Sequence, residues 1–336
     1  MTVPEPQLTL DDSQVTASAA PWQVATPRAV VLALRNYGIV VFFAALFIAL
    51  SFLSNVFFTK TNILNMFDQT APAGIIACAE TLVIIGGGFD LSVGAMFALG
   101  GVVAAQTAPH IGVWEGLIVG SLMGLGMGIV NGLLITVGRV NSFIATLASS
   151  FMFYGLGQVM TNGYLVTVSQ PSFSSLGNNS FAGVRYSIWL FLAVALSLGL
   201  ILARTNVGKY IFAVGGNPEA ARLSGVRVNA VRVTTFALSG LAAGMAGVLV
   251  ASRISQGQAD SGSDLTLTTI AAVVIGGTSI LGGEGAVWRS VLGVLLLTMI
   301  GNGFNLLNVN SIYQQIVEGG IIVSAVAFDA WSRRSR

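Results

Sequence analysis

About ten apolar stretches follow one another along this chain of 336 residues, each close to the length of a helix that crosses a bilayer. A bilayer core about 30 Å thick needs roughly 20 apolar residues per helix. Only 8% of the residues are charged, whereas soluble domains carry about 25%. The sequence therefore predicts an all-α polytopic membrane protein with about ten transmembrane helices. The predicted spans are 38–58, 63–87, 91–108, 113–137, 142–161, 187–203, 232–252, 265–282, 287–303 and 312–331.

Three of these spans, 63–87, 91–108 and 287–303, are interrupted by glycine or polar residues. Helices broken at membrane depth are tolerated where protein or a water-filled path surrounds them. The segment Val83-Ile84-Ile85-Gly86-Gly87 is echoed by Val273-Val274-Ile275-Gly276-Gly277. The echo is compatible with an internal duplication, which is common in transporters.

The basic residues predict how the chain crosses the membrane. With ten spans, Lys60, Arg185 and Arg253 lie on one side, and the other twelve of the fifteen Lys and Arg residues lie on the side of both termini. Because loops rich in Lys and Arg stay in the cytoplasm, we expect both termini and the 204–231 loop to be cytoplasmic.

The termini and the scarce reactive residues exclude several classes of protein. Residues 1–37 lack the basic start of a signal peptide and are expected to form a disordered cytoplasmic tail, and 332–336 a basic cytoplasmic end. A net charge of +2 gives no reason to expect nucleic acid as a partner. The lone Cys78 cannot form a disulfide within the chain, and the lone His110 excludes a multi-histidine metal site.

The chain carries no phosphate-binding loop for ATP. That loop has the form G-x-x-x-x-G-K-[ST], and the nearest segment, Gly208-Lys209, is followed by Tyr210. We therefore expect this chain not to be an enzyme and to bind no cofactor. Any ATP and magnesium would belong to another chain.

The charged segment from Gly208 to Gly225 contains a short capped helix. Asn217 suits the N-cap, Pro218 the first helical position and Glu219 the positive end of the helix dipole. Gly225 suits the left-handed position that closes a helix. The expected helix has about seven residues, roughly 10 Å, which is too short to span a bilayer, so we expect it to contact a partner. Its residues are Asn217, Pro218, Glu219, Ala220, Ala221, Arg222, Leu223 and Gly225.

Polar residues inside the spans are candidates for a solute path, because they are costly in lipid. Two are carboxylates, and a proton-coupled carrier would use them as its relay. The others are amides, which suit a neutral polyol and equally suit hydrogen bonds between helices. The candidates are Glu80, Asn131, Gln158, Asn302 and Glu318.

A glycine-rich turn precedes the third span. Asp90 is positioned to cap a helix that begins at Leu91, and the preceding glycines permit a tight re-entry. A purely structural turn explains this pattern as well as a role in substrate binding does. The turn and cap residues are Gly87, Gly88, Asp90, Ser92 and Gly94.

Two loops are expected on the outer side of the membrane. The longer loop, 162–186, is rich in Ser, Asn and Gly and is predicted to form a lid or a short interfacial helix. The shorter loop, 253–264, carries Arg253, Asp260 and Asp264. Either loop is a candidate contact for an external protein or a simple solvated loop.

Taken in order, these segments resemble the permease subunits of bacterial ABC importers for monosaccharides, the ribose, xylose and galactose group. The resemblance runs from about 40 to 331, and Phe89 departs from the isoleucine that is usual in the family. The segments are Gly86-Gly87-Gly88-Phe89-Asp90-Leu91-Ser92-Val93-Gly94, Asn131-Gly132, Phe143-Ile144-Ala145-Thr146-Leu147, Gly208 to Gly225, Leu238-Ser239-Gly240-Leu241-Ala242-Ala243 and Gly276-Gly277-Thr278-Ser279-Ile280-Leu281-Gly282-Gly283.

The resemblance implies a transport assembly in the bacterial inner, or plasma, membrane. The partners would be a second permease chain, identical or different, two cytoplasmic ATPase domains and a periplasmic sugar-binding protein. It also implies that Asn217 to Gly225 is the coupling helix that docks on the ATPase, and that transport of a pentose or hexose proceeds by alternating access. Two alternatives remain: an ABC permease for a non-sugar solute, such as a branched-chain amino acid or a furanone-type signal, and an ATPase-independent carrier that uses Glu80 or Glu318.

Overall fold

The computed structural model describes residues 27–310 together with 313, 314, 316, 317, 319, 320 and 323. Helices account for most of this part of the chain, and four two-residue strands complete it. The long helices are α1 (Pro27–Leu53), α2 (Lys60–Ile85), α3 (Val93–Ile111), α4 (Val113–Thr136), α5 (Ser142–Thr161), α7 (Tyr186–Arg204), α10 (Val228–Ile254) and α12 (Val287–Leu306). The shorter ones are α6 (Ser175–Asn178), α8 (Asn206–Gly216), α9 (Pro218–Leu223) and α11 (Leu265–Ile275).

Six of the described helices are long and apolar enough to cross a membrane: α2, α4, α5, α7, α10 and α12. They confirm an all-α membrane protein. Helices α1, α3 and α11 coincide with three further predicted spans but do not reach the same length and hydropathy over their described residues. The tenth predicted span, 312–331, lies outside the described residues except for a few isolated positions.

The first helix begins earlier than the sequence predicts. Residues 27–37, assigned above to a disordered tail, lie within α1. The run Ala29-Val30-Val31-Leu32-Ala33-Leu34 contains no glycine or proline, so nothing in it ends a helix before the apolar span. Residues 1–26 lie outside the described part of the chain.

The core is formed by α2, α3, α4 and α10. In the most apolar window of α2, 89% of the residues are buried, against 28% in α5 and in α7. Glycines allow the closest approaches: Gly100 packs against Gly244, and Gly124 against Gly240. A Cβ at any of these positions would meet backbone atoms of the neighbouring helix, which is how small residues let membrane helices pack tightly.

Two helices begin partway through the bundle. Asp90 lies just before α3 and contacts Ser239, which is 11 residues into the 27-residue α10. At about 1.5 Å per residue, the turn before α3 is roughly 17 Å from the start of a helix about 40 Å long. Helix α11 has only 11 residues, and the segment before it descends to the same level, since Gly262 packs against Gly94.

The echoed segments form the same structure at the ends of α2 and α11. Gly87 and Gly277 have φ values of +79° and +82°, a region that favours glycine. The next residues close both ends alike: Gly88 N–H donates to Val83 O (3.0 Å), and Thr278 N–H donates to Val273 O (3.2 Å). The span predicted over 265–282 is therefore wrong beyond Ile275, because this glycine turn ends the helix.

Small strands link the connections at the opposite end of the bundle from α9. Strand β1 (Val166–Thr167) pairs antiparallel with β4 (Gln256–Gly257), and β2 (Ser180–Phe181) pairs with β3 (Val184–Arg185). The 162–186 loop thus holds a hairpin, a 3₁₀ turn over Pro171–Ser174 and the four-residue α6. Phe173 from this turn is fully buried, which fastens the loop to the bundle.

Candidate functional site

Helix α9 has the N-terminal cap that the sequence predicts. The Asn217 side-chain oxygen accepts the backbone N–H groups of Glu219 (3.1 Å) and Ala220 (3.0 Å). Pro218 occupies the first helical position, where its missing N–H has no intrahelical partner to lose. The helix has six residues, and side-chain capping of this kind stabilises a segment too short to be stable alone.

The other end of α9 is closed by a glycine turn. Gly225 has φ +85°, its N–H donates to Arg222 O, and Val226 N–H donates to Ala221 O, both at 3.0 Å. This is the Schellman arrangement, and the apolar residues that accompany it are present: buried Ala221 belongs to a core cluster, and partly buried Val226 packs against that cluster. The predicted left-handed role of Gly225 is confirmed.

The outward face of α9 carries solvent-exposed charged and apolar side chains. Arg222 donates to Glu219 at 2.6 Å, and both side chains are about two-thirds exposed. Leu223 is 80% exposed. Arginine is enriched among the residues that dominate binding interfaces, so the exposed Arg222 makes this face a candidate docking element.

A junction of glycines connects the end of α8, directly before α9, to the end of α2 and to the segment after α11. Gly215, at the end of α8, lies so close to the Ile85 carbonyl that a Cβ would overlap it. Gly283 donates its N–H to the same carbonyl at 2.8 Å, and Gly282 packs against Gly87. The junction therefore joins the end of α8, directly before α9, to the turn that ends α2 and to the segment that follows α11.

Helix α8, over Asn206–Gly216, is not among the helices predicted from the sequence. Its Thr205 side chain accepts Gly208 N–H (3.3 Å) as an N-cap, and Ile211 and Val214 are buried while Tyr210 is exposed. Apolar residues three apart within a polar segment are the signal of a short amphipathic helix. That signal was present between the capped helix and the preceding span.

Asp90 is the centre of a buried polar network, hereafter the Asp90 network, formed by Glu80, Asp90, Ser92, Asn131 and Ser239. All five residues are fully buried. Asp90 Oδ1 accepts from Ser92 N–H (3.0 Å) and Ser92 Oγ (2.6 Å), and Oδ2 accepts from Ser239 Oγ (2.9 Å). Asn131 Nδ2 donates to Ser92 Oγ at 2.7 Å, and Asp90 N–H donates to Glu80 Oε1 at 3.1 Å. The network joins α2, α3, α4 and α10.

The prediction that Asp90 caps a helix opening at Leu91 is wrong. Helix α3 opens at Val93 with Ser92 at its N-cap, and Asp90 accepts the N–H of Ser92 itself rather than an N–H of the first helical turn. Instead Leu91 N–H donates to Thr146 Oγ1 (3.0 Å), which holds the turn against α5. The tight re-entry is confirmed by the positive φ of Gly87, and Gly94 packs against Gly262 and Thr266.

The remaining path candidates do not meet at one place. Asn302 and Asn62 exchange amide hydrogen bonds at 2.9 and 3.0 Å, so Asn302 joins α12 to α2. Gln158 is exposed on α5. Glu318 lies outside the described residues. Of the four candidates that lie within the described residues, the structure brings together only Glu80 and Asn131.

A third buried carboxylate lies at the opposite end of α2 from α9. Asp68, 4% exposed, accepts from Arg185 and from Ser187, and Arg253 Nη2 donates to its Oδ1 at 2.8 Å. Arg253 also donates to the Asp68 carbonyl at 3.1 Å. These four residues, hereafter the Asp68 cluster, tie α2 to α7 and α10. Arg253, considered above for an external contact, is instead an internal partner.

Asp260 and Asp264 lie in the descending segment before α11 and are exposed. Neither forms an ion pair within the described part of the chain. Gly262, between them, packs at the level of Gly94, about halfway along the bundle. Charged groups at that depth are costly against lipid, so we expect this surface to face water or protein. The sequence predicts an outer loop at these positions. The descent of the segment depends on tertiary contacts such as that between Gly262 and Gly94, which no local pattern indicates.

Within the described residues, no group of three or more His, Cys, Asp and Glu side chains is arranged to hold a metal ion.

Comparison with known proteins gives consistent matches. Residues 62–326 match the family described as branched-chain amino acid transport system / permease component. The chain is 39% identical over 305 residues to the L-arabinose ABC transporter permease protein of Azospirillum brasilense, covering 90% of each chain. It is 39% identical over 284 residues to the ribose import permease protein of Escherichia coli K12, covering 83% of this chain and 88% of that one. No solved structure matches the chain.

Proposed function

Because the chain belongs to the branched-chain amino acid transport system / permease component family, we propose that it forms the alternating-access pathway through which an ATP-driven importer moves a monosaccharide. The chain is a multi-pass permease subunit and not an enzyme. ATP hydrolysis is the task of a separate chain. Relatives 36 to 39% identical over most of their length are named as ribose and L-arabinose permeases, so pentoses are the first substrates to test.

The observation that carries the proposal is α9. It is capped at both ends, anchored through Ala221 and the glycine junction, and exposed over Glu219, Arg222 and Leu223. A carrier that works without an ATPase does not need a rigid, exposed helix of six residues on its surface. We propose that α9 docks on the ATPase and passes its movement to the ends of α2 and α11.

The proposed topology has ten spans with the α9 face in the cytoplasm. Arg185 and Arg253 belong to the Asp68 cluster at the far end of α2, whereas Arg139, Arg204, Arg222, Arg227 and Arg232 lie toward α9. This distribution agrees with retention of basic loops in the cytoplasm. The proposed partners are a second permease chain, two ATPase domains and a periplasmic sugar-binding protein. ATP and magnesium would be held by the ATPase.

The solute path is proposed to run beside the exposed segment with Asp260 and Asp264, with Gln158 on the neighbouring α5. Carboxylates and amides offer several hydrogen bonds to sugar hydroxyls. Glu80 and Asn131 are fully buried and bonded to other protein groups, so their contribution is to hold the helices together. That arrangement gives no support to a carrier that uses Glu80 as a proton relay.

The ATPase contact is tested by exchanging the ion pair of α9. In the double variant Glu219→Arg/Arg222→Glu, the two residues still pair within the helix while the charges offered to a partner are exchanged. We expect uptake of labelled ribose or L-arabinose to fall at least about tenfold, because a loss of only about 1.4 kcal/mol in the free energy of docking lowers the affinity for the ATPase tenfold. A P-loop ATPase cross-linked and co-purified from native membranes is expected to be lost with it.

The matched control is Arg204→Glu, a charge reversal at the exposed end of α7 on the same face. It should leave uptake and ATPase recovery near wild type. Normal uptake in the double variant would contradict docking through α9. Sugar accumulation by proteoliposomes of this chain alone would contradict ATP-driven import, and competition by a branched-chain amino acid but not by pentoses would contradict the sugar assignment.

A further inference from the structure

A cleft of about 580 Å³ opens beside α9, between the glycine turn after α2, the connection from α4 to α5 and the first turns of α10. Its floor includes Val83 and Phe236, and its walls include the glycines 86–88. This volume lies within the range of small-molecule sites, about 300 to 1,000 Å³.

Three arginines are among the residues that line the cleft: Arg139, Arg222 and Arg232. They come from three separate elements, the α4–α5 connection, α9 and α10. No carboxylate is among the lining residues. Within the described part of the chain, Arg139 and Arg232 form no salt bridge, and Arg222 pairs only with Glu219.

The formal charge of the cleft suits a dianion. Three guanidinium charges, less the one carboxylate of Glu219 that pairs with Arg222, leave a formal charge of +2. A phosphate monoester carries about −1.5 to −2 at pH 7. Arginine is the residue best matched to phosphate, because its planar fork donates two parallel hydrogen bonds. The amides of Asn141 and Asn229 also line the cleft.

The backbone at Arg139 gives a separate indication. Arg139 has φ +55° in the turn that closes α4, where Val140 N–H donates to Leu134 O at 3.4 Å. Arg139 lies one residue beyond the position that Gly87, Gly225 and Gly277 occupy after α2, α9 and α11. A positive φ is uncommon for a residue other than glycine, and in this conformation Arg139 is among the residues that line the cleft.

We propose that this cleft binds a phosphate group. The group could come from a phosphorylated metabolite in solution or from the headgroup of a phospholipid in the adjacent leaflet. Bound phosphate joins α9 to the α4–α5 connection and to α10, and thereby resists movement of α9 relative to the bundle. The site is independent of which solute the permease carries.

The test uses the purified full chain with the double variant Arg139→Gln/Arg232→Gln, which removes two charges and leaves α9 unchanged. The control is Arg227→Gln, an exposed arginine on the same face that borders a different pocket. Binding is measured in detergent by calorimetry with inorganic phosphate and ribose 5-phosphate, with ribose as the uncharged comparison. In a second arm, phospholipid retained from phosphatidylglycerol nanodiscs is counted by native mass spectrometry.

Binding of ribose 5-phosphate or phosphate that weakens at least tenfold in the double variant and not in Arg227→Gln supports the site with a soluble ligand. Retention of a phospholipid that is lost in the double variant alone supports it with a lipid ligand. If neither probe binds the wild-type chain, or if the double variant and the wild type bind alike, the proposal is wrong. Loss of ATPase recovery in the double variant, with no probe bound by wild type, would assign the arginines to the ATPase interface and likewise overturn it.

Discussion

The Asp68 cluster and the Asp90 network stabilise buried carboxylates in opposite ways. Asp68 is paired with two arginines and a serine. Asp90 and Glu80 accept only from serine hydroxyls and backbone N–H groups, and no cation is within the network. Removing one member of a buried ion pair leaves an uncompensated charge, which costs far more than removing one neutral donor. The first region should therefore tolerate change much less than the second.

The difference matches the position of each region in the bundle. The Asp68 cluster connects the start of α2 to α7 and to the end of α10, and it holds together the end that lies away from α9. The Asp90 network lies where the chain re-enters before α3, and two of its atoms, Glu80 Oε2 and Asn131 Oδ1, have no hydrogen-bond partner among the described residues. Unsatisfied buried polar atoms are costly, so a rearrangement of this region breaks fewer favourable interactions.

The largest expected effect is that of Asp68→Ala. It leaves Arg253, whose side chain is only 22% exposed, without its partner, and we expect the free energy of unfolding to fall by about 3 to 5 kcal/mol. SDS-induced unfolding of the purified chain in mixed micelles measures this. The control is Arg185→Gln: Arg185 is 44% exposed, and its loss should cost within about 1 kcal/mol. Equal losses for the two variants would show that Asp68 is not compensated mainly by Arg253.

An intermediate effect is expected for Ser239→Ala. The change removes the donor to Asp90 Oδ2 and frees α10 from the turn before α3, and we expect a loss of about 1 to 3 kcal/mol. Ser197→Ala is the matched control, because its hydroxyl bonds only to its own helix, at Val194 O, and is exposed. A loss for Ser239→Ala as large as that for Asp68→Ala would remove the contrast between the two regions.

The smallest effect is expected for Glu80→Gln. The amide oxygen can still accept Asp90 N–H, and the change removes one acidic group from beside another with no cation left unpaired. We expect the free energy of unfolding to change by less than about 1.5 kcal/mol, with uptake retained. Loss of uptake in a stable Glu80→Gln protein would favour the carrier that uses Glu80 as a proton relay over the structural role assigned here.

Sequence reasoning succeeded where local rules decide the structure. The span cores of α2, α4, α5, α7, α10 and α12 follow from length and hydropathy alone. The caps of α9 follow from Asn217, Pro218 and Gly225, because each residue type suits one backbone position whatever surrounds it. The similarity between the ends of α2 and α11 also follows from the sequence, because the same glycine pair, Gly86-Gly87 and Gly276-Gly277, ends both helices in the same turn.

The rest required the tertiary structure. The same residue type, aspartate, is paired with arginines at Asp68, buried among serines at Asp90 and exposed at half depth at Asp264, and no local pattern separates these outcomes. They depend on which helices meet: Arg253 reaches Asp68 from 185 positions away along the chain, and Ser239 reaches Asp90 from 149. Helix formation and capping depend on neighbouring residues, whereas the environment of a charge depends on contacts between distant segments, and only the packed bundle brings those together.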